Sequence, residues 1–166
     1  MPDINALLNP TTVAVIGASN DKSIIRGRAM EVLLSHPFKG RIYPISRSAK
    51  HVQGLKAFSS VDLVPEQIDL ALVIIPAEFI LEELERCGNS GVKAAQIITS
   101  GFAEGGDRKG KKLQLKIREI ANKFDMAISG PNSEGFANTL KSLCPTFSPA
   151  VAETSDSLVP EYRKNG

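Results

Sequence analysis

The sequence has few of the residues that mark redox, metal or membrane proteins. Among its 166 residues are no tryptophan, two histidines and two cysteines. Cys87 and Cys144 cannot form the disulfide framework of a small secreted domain, and their spacing fits no metal site, so we expect a reducing, cytoplasmic environment and no bound metal. The longest apolar run, residues 70–77, is far shorter than the roughly 20 residues that span a bilayer.

Charge and aromatic content exclude further classes. The chain carries 20 basic and 18 acidic side chains, and aromatic residues make up 5% of it. This balance argues against a one-signed surface for nucleic acid, and few aromatic residues are available to stack on bases. With 42% hydrophobic residues, a chain of this length is expected to fold around one core. The N-terminus shows no basic region followed by an apolar one, so no secretory signal is predicted.

Short β-branched apolar runs alternate with segments of helical periodicity. The periodicity predicts a short helix at 3–10 and longer helices at 27–36, 77–87 and 109–124. The predicted strands are 13–16, 41–45, 70–75, 95–99 and 126–128. Their spacing is typical of βαβ units, and predicts an α/β fold: a Rossmann-like, doubly wound parallel sheet of about five strands with helices on both faces. Residues 1–147 form this predicted domain, and 148–166 are predicted to be a linker or the start of a second domain.

The loop after the first predicted strand is a candidate phosphate site. Ligands of open parallel sheets bind beyond the carboxyl ends of the strands, near the point where strand order reverses. Gly17, Ala18 and Ser19 would let a phosphate approach backbone N–H groups at the start of the next helix. Ser19 and Lys22 occupy the later glycine positions of the Gly-x-Gly-x-x-Gly pattern, so a simple strand-to-helix turn remains an alternative.

The loop after the second predicted strand carries hydroxyls and cations. An NAD site would place an acidic residue here for the ribose 2′-hydroxyl, whereas this chain has Ser46, Arg47, Ser48 and Lys50. Such side chains suit a phosphorylated ribose, although a solvated turn is also compatible with them. The two loops together favour NADP or coenzyme A over NAD.

The remaining loops offer surfaces of a different kind. Pro76 breaks the third predicted strand and exposes a small apolar lip that suits an adenine or a thin pantetheine arm. Gly101 allows backbone to approach a ligand or simply makes a mobile connection. After the fifth predicted strand, a compact turn presents Asn132.

Taken in order, these segments resemble the N-terminal domain of NDP-forming acyl-CoA synthetases and the similar domain of the succinyl-CoA synthetase α-subunit. The resemblance covers about residues 8–140. It is carried by residues 13–19 (VAVIGAS), 40–45 (GRIYPI), 69–77 (DLALVIIPA), 85–88 (ERCG), 100–104 (SGFAE) and 130–132 (GPN). Several ordered motifs make it more specific than any one loop.

The resemblance implies that this domain binds coenzyme A. Gly17, Ser19 and Asn20 would line the diphosphate, and Arg47 or Lys50 would meet the phosphates. Segments 75–77 and 100–102 would guide the adenosine and pantetheine portions, with the Gly-Pro-Asn turn toward the thiol. The predicted contacts are Gly17, Ala18, Ser19, Asn20, Arg26, Ser46, Arg47, Lys50, Ile75, Pro76, Ala77, Ser100, Gly101, Phe102, Glu104 and Asn132.

The chain departs from the family pattern at three places. Asn20 stands where the family has a basic residue, a charge that Arg26 can supply from further along the loop. Residues 46–48 (SRS) replace the usual Asn-Pro-Lys. Ser133 and Glu134 replace Cys and an apolar residue after Gly-Pro-Asn, which puts a carboxylate where the family has a phosphorylated intermediate.

No catalytic residue is predicted in this chain. In the family, the phosphorylated histidine and the ATP-grasp portion belong to other domains, and His36 and His51 match no such motif. We therefore expect a module of an acid–thiol ligase that binds coenzyme A or acyl-CoA, is not catalytic alone, and needs missing C-terminal domains or a partner subunit. It would contact neither nucleic acid nor a membrane. Two alternatives remain: an NADP-binding domain of an oxidoreductase, and a CoA-sensing regulatory domain fused to a partner such as an acetyltransferase.

Overall fold

Seven strands form two sheets in the computed structural model, which describes residues 2–151. The strands are β1 (Thr12–Ile16), β2 (Arg41–Ile45), β3 (His51–Val52), β4 (Leu55–Lys56), β5 (Leu70–Val73), β6 (Ala94–Ile97) and β7 (Ala127–Ser129). The larger sheet has the order β2-β1-β5-β6-β7, and all of its neighbouring strands are parallel. Strands β3 and β4 form a separate antiparallel hairpin.

Helices cover both faces of the larger sheet. The helices are α1 (Ile4–Leu8), α2 (Ile25–Ser35), α3 (Ala77–Asn89) and α4 (Arg108–Phe124), with single 3₁₀ turns at Val61–Leu63, Ala103–Gly105, Thr139–Lys141 and Pro149–Val151. One core cluster joins the sheet to α3 and α4, and a second joins it to α1 and α2. The predicted doubly wound α/β fold is therefore confirmed.

The central strands are almost entirely apolar because both of their faces are covered, with Thr12 and Gln96 as the buried polar residues among β1, β5 and β6. Every residue of β1, β5 and β6 is buried. In β1, Val13 and Val15 join one core cluster, whereas Ala14 and Ile16 join the other. Successive side chains of a strand point to opposite faces, so a strand between two helical layers needs apolar residues at every position.

Helix α3 is positioned by one buried stripe. Ile80, Leu84 and Cys87 are fully buried on its inner face, as the helical periodicity predicts. Burial raises the pKa of the Cys87 thiol, so Cys87 packs as a small apolar side chain and is poorly suited to act as a thiolate nucleophile. Phe79 and Glu83 of the same helix line a cleft together with the loops after β1 and β2.

Several boundaries and one element differ from the sequence predictions. Helix α2 begins at Ile25, ahead of the predicted start at residue 27. The periodicity missed this first turn because Ile25 is 48% exposed and adds nothing to the apolar stripe. The predicted strands 70–75 and 95–99 end at Val73 and Ile97. The β3–β4 hairpin was not predicted. Its turn residues Gln53 and Gly54 both have positive φ, 47° and 87°, which suits a tight two-residue hairpin turn.

The segment after β7 folds back onto the domain. Leu143 and Cys144 are buried, and the Asn138 side-chain amide donates to the Leu8 carbonyl oxygen at 2.8 Å. The predicted domain end at residue 147 stays a prediction, and most of the predicted linker, residues 152–166, lies outside the described residues. Within residues 2–151, no helix is long and apolar enough to cross a membrane.

Candidate functional site

The strand order reverses next to β1, and a cleft opens there. Strand β2 follows β1 on one side of the sheet, and the chain then crosses to place β5 on the other side of β1. The loops after these three strands surround a cleft of about 490 Å³, which we call cleft A. Cleft A is lined by residues 16–21, Arg26, residues 45–49, Ser59, Ile75, Pro76, Phe79 and Glu83.

Gly17 makes the close turn at the base of cleft A. Its φ is +89°, and its N–H donates to the Ile45 carbonyl oxygen at 3.0 Å. A Cβ at this position would stand 2.3 Å from the Ile74 carbonyl oxygen. Because both conformation and space exclude a side chain, the chain needs glycine here.

The loop that follows Gly17 is braced by the β3–β4 hairpin. The Asn20 side chain donates to the His51 carbonyl oxygen at 3.0 Å and accepts from the Gln53 N–H at 2.7 Å. The Gln53 side-chain amide in turn donates to the carbonyl oxygens of Ser19 and Gly27, at 3.0 and 2.8 Å. Asn20 therefore lines cleft A with both of its polar side-chain atoms already hydrogen-bonded.

The same loop leaves the start of α2 open. Asp21 Oδ1 accepts from the N–H and the hydroxyl of Ser23, at 2.9 and 2.6 Å, and these hydrogen bonds hold the pKa of Asp21 below its usual range. The residue that precedes the helix is Ile24, and no side chain caps it. The first N–H groups of a helix that lack a cap can be satisfied by an anion.

Of the two predicted cations after β2, only one lines cleft A. Arg47 lines cleft A, with its guanidinium carbon 5.7 Å from the centre of the Phe79 ring. The Ser46 hydroxyl accepts from the Ala49 N–H at 3.3 Å, so it also shapes the turn. Lys50 is exposed and does not line cleft A.

One acidic side chain is buried in the wall of cleft A. Glu83 is 5% exposed, on the turn of α3 that follows Phe79. Burial raises the pKa of Glu83, an effect opposed by Arg86 and Arg47. Its Oε2 lies 3.6 Å from Arg86 Nη1, and its Oε1 has no hydrogen-bond partner among the described residues.

A second cleft, cleft B, continues along the carboxyl edge of the sheet. It has a volume of about 700 Å³ and shares Arg26, Ile75 and Pro76 with cleft A. Cleft B is lined by residues 23–26, Ile74, Ile75, Pro76, residues 98–100, residues 132–134 and Phe147. The start of α2 lies where the two clefts meet.

Hydrogen bonds fix the loops that end in cleft B. The Thr99 hydroxyl donates to the Ile75 carbonyl oxygen at 2.7 Å, and the Asn132 N–H donates to the Thr99 carbonyl oxygen at 2.9 Å. Asn132 has a φ of 52°, a conformation that asparagine tolerates better than most residues. These bonds link the chain after β5, β6 and β7 into one rim.

The SGFAE segment contributes less to the clefts than its motif suggests. Phe102 is fully buried in the core. The Glu104 carboxylate accepts from the N–H groups of Gly101 and Phe102, at 2.5 and 3.1 Å, and these bonds lower the pKa of Glu104. Because its carboxylate already satisfies the backbone donors of its own loop, Glu104 closes the turn.

The structure brings together eleven of the sixteen predicted contacts. Nine line cleft A: Gly17, Ala18, Ser19, Asn20, Arg26, Ser46, Arg47, Ile75 and Pro76. Ser100 and Asn132 line cleft B. Five line neither cleft: Lys50, Ala77, Gly101, Phe102 and Glu104. The binding role of all sixteen stays a prediction.

Sequence reasoning missed several residues of cleft A. These are Asp21, Ser59, Phe79 and Glu83. Phe79 and Glu83 stand four residues apart on α3, and therefore on one face of the helix. This spacing was visible in the sequence, as a polar and an aromatic residue beside the buried stripe. No cluster of three or more His, Cys, Asp or Glu side chains in the described part of the chain could hold a metal ion.

Known proteins include a matching family and several similar chains. A family profile described as "CoA binding domain" matches residues 11–139. The chain is 40% identical over 144 residues to the acetate–CoA ligase (ADP-forming) II subunit alpha of Pyrococcus furiosus, covering 87% of this chain and 31% of that protein. It is 39% identical to the 4-hydroxybutyrate–CoA ligase (ADP-forming) of Nitrosopumilus maritimus, covering 80% and 19%.

A solved structure gives the same comparison in three dimensions. The dinucleotide-forming acetyl-coenzyme A synthetase 1 of Ca. Korarchaeum cryptofilum, in complex with phosphate and ADP, superposes with a TM-score of 0.85 at 38% identity. The match covers 90% of this chain and 32% of that one. The chain thus spans about a third or less of the length of these relatives.

Proposed function

We propose, from the premise that this chain belongs to the CoA binding domain family, that clefts A and B together bind one extended molecule of coenzyme A. The observation that carries the proposal is the junction of the clefts. Both are lined by Arg26, Ile75 and Pro76, and the start of α2 lies between them. One long ligand with a charged centre fits two clefts that meet at a cation and a helix N-terminus.

The diphosphate of coenzyme A would lie at this junction. Helix α2 begins without a side-chain cap, so its first N–H groups and the positive end of its dipole are available to an anion. Arg26 adds a full positive charge there, in place of the basic residue that the family has at position 20. Because Gly17 has no side chain, the phosphates could lie close to the backbone of this loop.

The adenosine portion would occupy cleft A and the pantetheine arm cleft B. Arg47 and the serine hydroxyls after β2 suit the 3′-phosphate that distinguishes coenzyme A from its dephospho form. Cleft B is lined by Ile74, Ile75, Pro76, Ile98 and Phe147, an apolar path for an uncharged arm. The thiol would then lie near Asn132, Ser133 and Glu134.

The whole protein would be a larger ligase. The relatives named above are ADP-forming CoA ligases, which favours an acyl-CoA synthetase over an NADP-dependent oxidoreductase or a fusion to an acetyltransferase. We propose that this chain supplies the coenzyme A site and that other domains or a partner subunit supply the phosphorylated histidine and the nucleotide site. The chain alone would not turn over substrate. Both cysteines are buried thiols, which suits a cytoplasmic location.

Calorimetry tests the proposed ligand directly. The chain is titrated with coenzyme A, dephospho-coenzyme A and NADPH under one set of conditions. We expect coenzyme A to bind at micromolar strength or weaker, dephospho-coenzyme A to bind less tightly, and NADPH to bind least tightly. A preference for NADPH, or no binding of any of the three, would contradict the proposal.

A further inference from the structure

The Glu83 carboxylate is the unexplained polar group of cleft A. Its Oε1 is buried and has no hydrogen-bond partner among residues 2–151. Buried oxygens in native structures are nearly always paired, and a cleft-lining acceptor can find its donor on a ligand. Gln96 also has unpartnered buried atoms, but it lies inside β6 and lines neither cleft.

The neighbouring arginine does not satisfy Glu83. Arg86 approaches Oε2 at 3.6 Å, beyond a good hydrogen bond. Its guanidinium is bound to Glu82 at 2.9 Å and lies 3.3 Å from the Ser60 hydroxyl. Burial raises the pKa of Glu83, and the nearby charges of Arg86 and Arg47 oppose this effect without cancelling it.

Two side chains with planar groups, Phe79 and Arg47, lie near Glu83 in cleft A. Phe79 lies one helical turn before it on the same face of α3, and the Arg47 guanidinium lies over the Phe79 ring. Aromatic rings and guanidinium planes are the surfaces on which nucleobases stack. Arg47, Phe79 and Glu83 all line cleft A, so a planar group stacked on this pair would lie beside Glu83.

We propose that the Arg47–Phe79 pair and Glu83 form a base-recognition subsite, in which Glu83 accepts a hydrogen bond from the exocyclic amine of adenine. This inference rests on the proposed binding of coenzyme A and adds to it a residue that selects the base. A 6-amino group offers the donor that Oε1 lacks. A 6-oxo group places an acceptor at that position and would repel the carboxylate, and the hydrogen that such a base carries on N1 could reach Oε1 only if the base shifted in the cleft.

The residue acts on selectivity, so the test compares two ligands. Affinities are measured by calorimetry for coenzyme A and for its analogue in which oxygen replaces the 6-amino group of the base. The wild-type chain is expected to prefer coenzyme A by about 10–100-fold, the discrimination typical of a polar base contact. In Glu83→Gln the ratio falls to within about threefold, because an amide can turn either its oxygen or its NH₂ toward the base.

A matched variant controls for charge on the same helix. Glu85→Gln removes a carboxylate that pairs with Lys123 at 2.6 Å on α4 and does not line cleft A, so it should keep the wild-type ratio. The proposal is overturned if the wild-type chain binds both ligands equally, or if Glu83→Gln keeps the wild-type ratio. If the wild-type chain did not bind coenzyme A at all, the proposed function would be overturned as well. If it bound coenzyme A without preference over the 6-oxo analogue, only the base-recognition subsite would be overturned.

Discussion

Asn20 donates a hydrogen bond from its side-chain amide to the carbonyl oxygen of His51, at 3.0 Å. This contact joins the loop after β1 to the β3–β4 hairpin, and the Gln53 side chain strengthens the same junction from the hairpin side. The β3–β4 hairpin therefore holds in place the loop that forms the base of cleft A. A rigid loop loses less entropy when a ligand binds.

Asn20→Ala should loosen this brace. The variant removes the donor to His51 and the acceptor for the Gln53 N–H, and at about 0.5–1.5 kcal/mol per hydrogen bond we expect a loss of about 1–2 kcal/mol in the free energy of unfolding. Denaturant unfolding measures it. Asn122→Ala, at an exposed site on α4, is the comparison, and an equal loss in both variants would argue against the brace.

Gly17→Ala should be much more damaging than another glycine substitution of similar conformation. Gly17 and Gly54 have φ values of +89° and +87°, but only at Gly17 would a Cβ meet other atoms, 2.3 Å from the Ile74 oxygen. We expect Gly54→Ala to lose about 1 kcal/mol of stability and Gly17→Ala about 2 kcal/mol more. Thermal unfolding of the two variants side by side gives the difference. Equal losses would mean that the close approach to β5 is unimportant.

Arg47 and Lys50 were predicted together as phosphate contacts, and the structure allows them to be separated. Arg47 lines cleft A and Lys50 does not. We expect Arg47→Ala to weaken coenzyme A binding about tenfold and dephospho-coenzyme A binding less, since a charge-assisted contact to the 3′-phosphate is lost. Lys50→Ala should change either affinity less than about twofold. The assignment would be wrong if Lys50→Ala had the larger effect on coenzyme A.

Glu83→Gln should stabilise the chain at neutral pH. The pKa of Glu83 is raised above its ordinary value of 4.5 in the folded chain, so the folded state binds this proton more tightly than the unfolded state. Folding is then favoured most below pH 4.5, and stability falls as pH rises through the interval up to the folded pKa. The variant lacks this titration, and removes a buried charge whose compensation is incomplete.

The measurement is a pair of melting curves at two pH values. At pH 7 we expect the melting temperature of Glu83→Gln to exceed that of the wild-type chain by about 3 °C or more. At pH 4 the difference should shrink toward zero, because Glu83 is then protonated in both states. A difference in melting temperature that grew as the pH fell would contradict a raised pKa of Glu83 in the folded chain.

The fold could be predicted from the sequence because burial leaves a regular pattern. The strands β1, β5 and β6 are buried on both faces and are therefore apolar at every position except Thr12 and Gln96. The β3–β4 hairpin was missed because each of its strands has only two residues, too few to show alternation. A Gln-Gly pair at 53–54 between Val52 and Leu55 was its only local signal.

The site could be predicted only in part, for a different reason. Loops after neighbouring parallel strands converge by topology, which brought Gly17, Arg47 and Pro76 to one cleft. Which side chains turn into that cleft depends on packing that no motif specifies. Phe102 lies in a well-marked loop but fills the core, whereas Glu83 lies in a helix and lines the cleft.

Amide NMR of the ¹⁵N-labelled chain shows whether one coenzyme A molecule spans both clefts. Adenosine 3′,5′-diphosphate, which lacks the pantetheine arm, should shift the amide signals of Gly17 and Arg47 in cleft A and leave those of Ser100 and Asn132 in cleft B unchanged. Coenzyme A should shift all four. If coenzyme A shifts the signals of only one cleft, or of neither, then no single coenzyme A molecule occupies both.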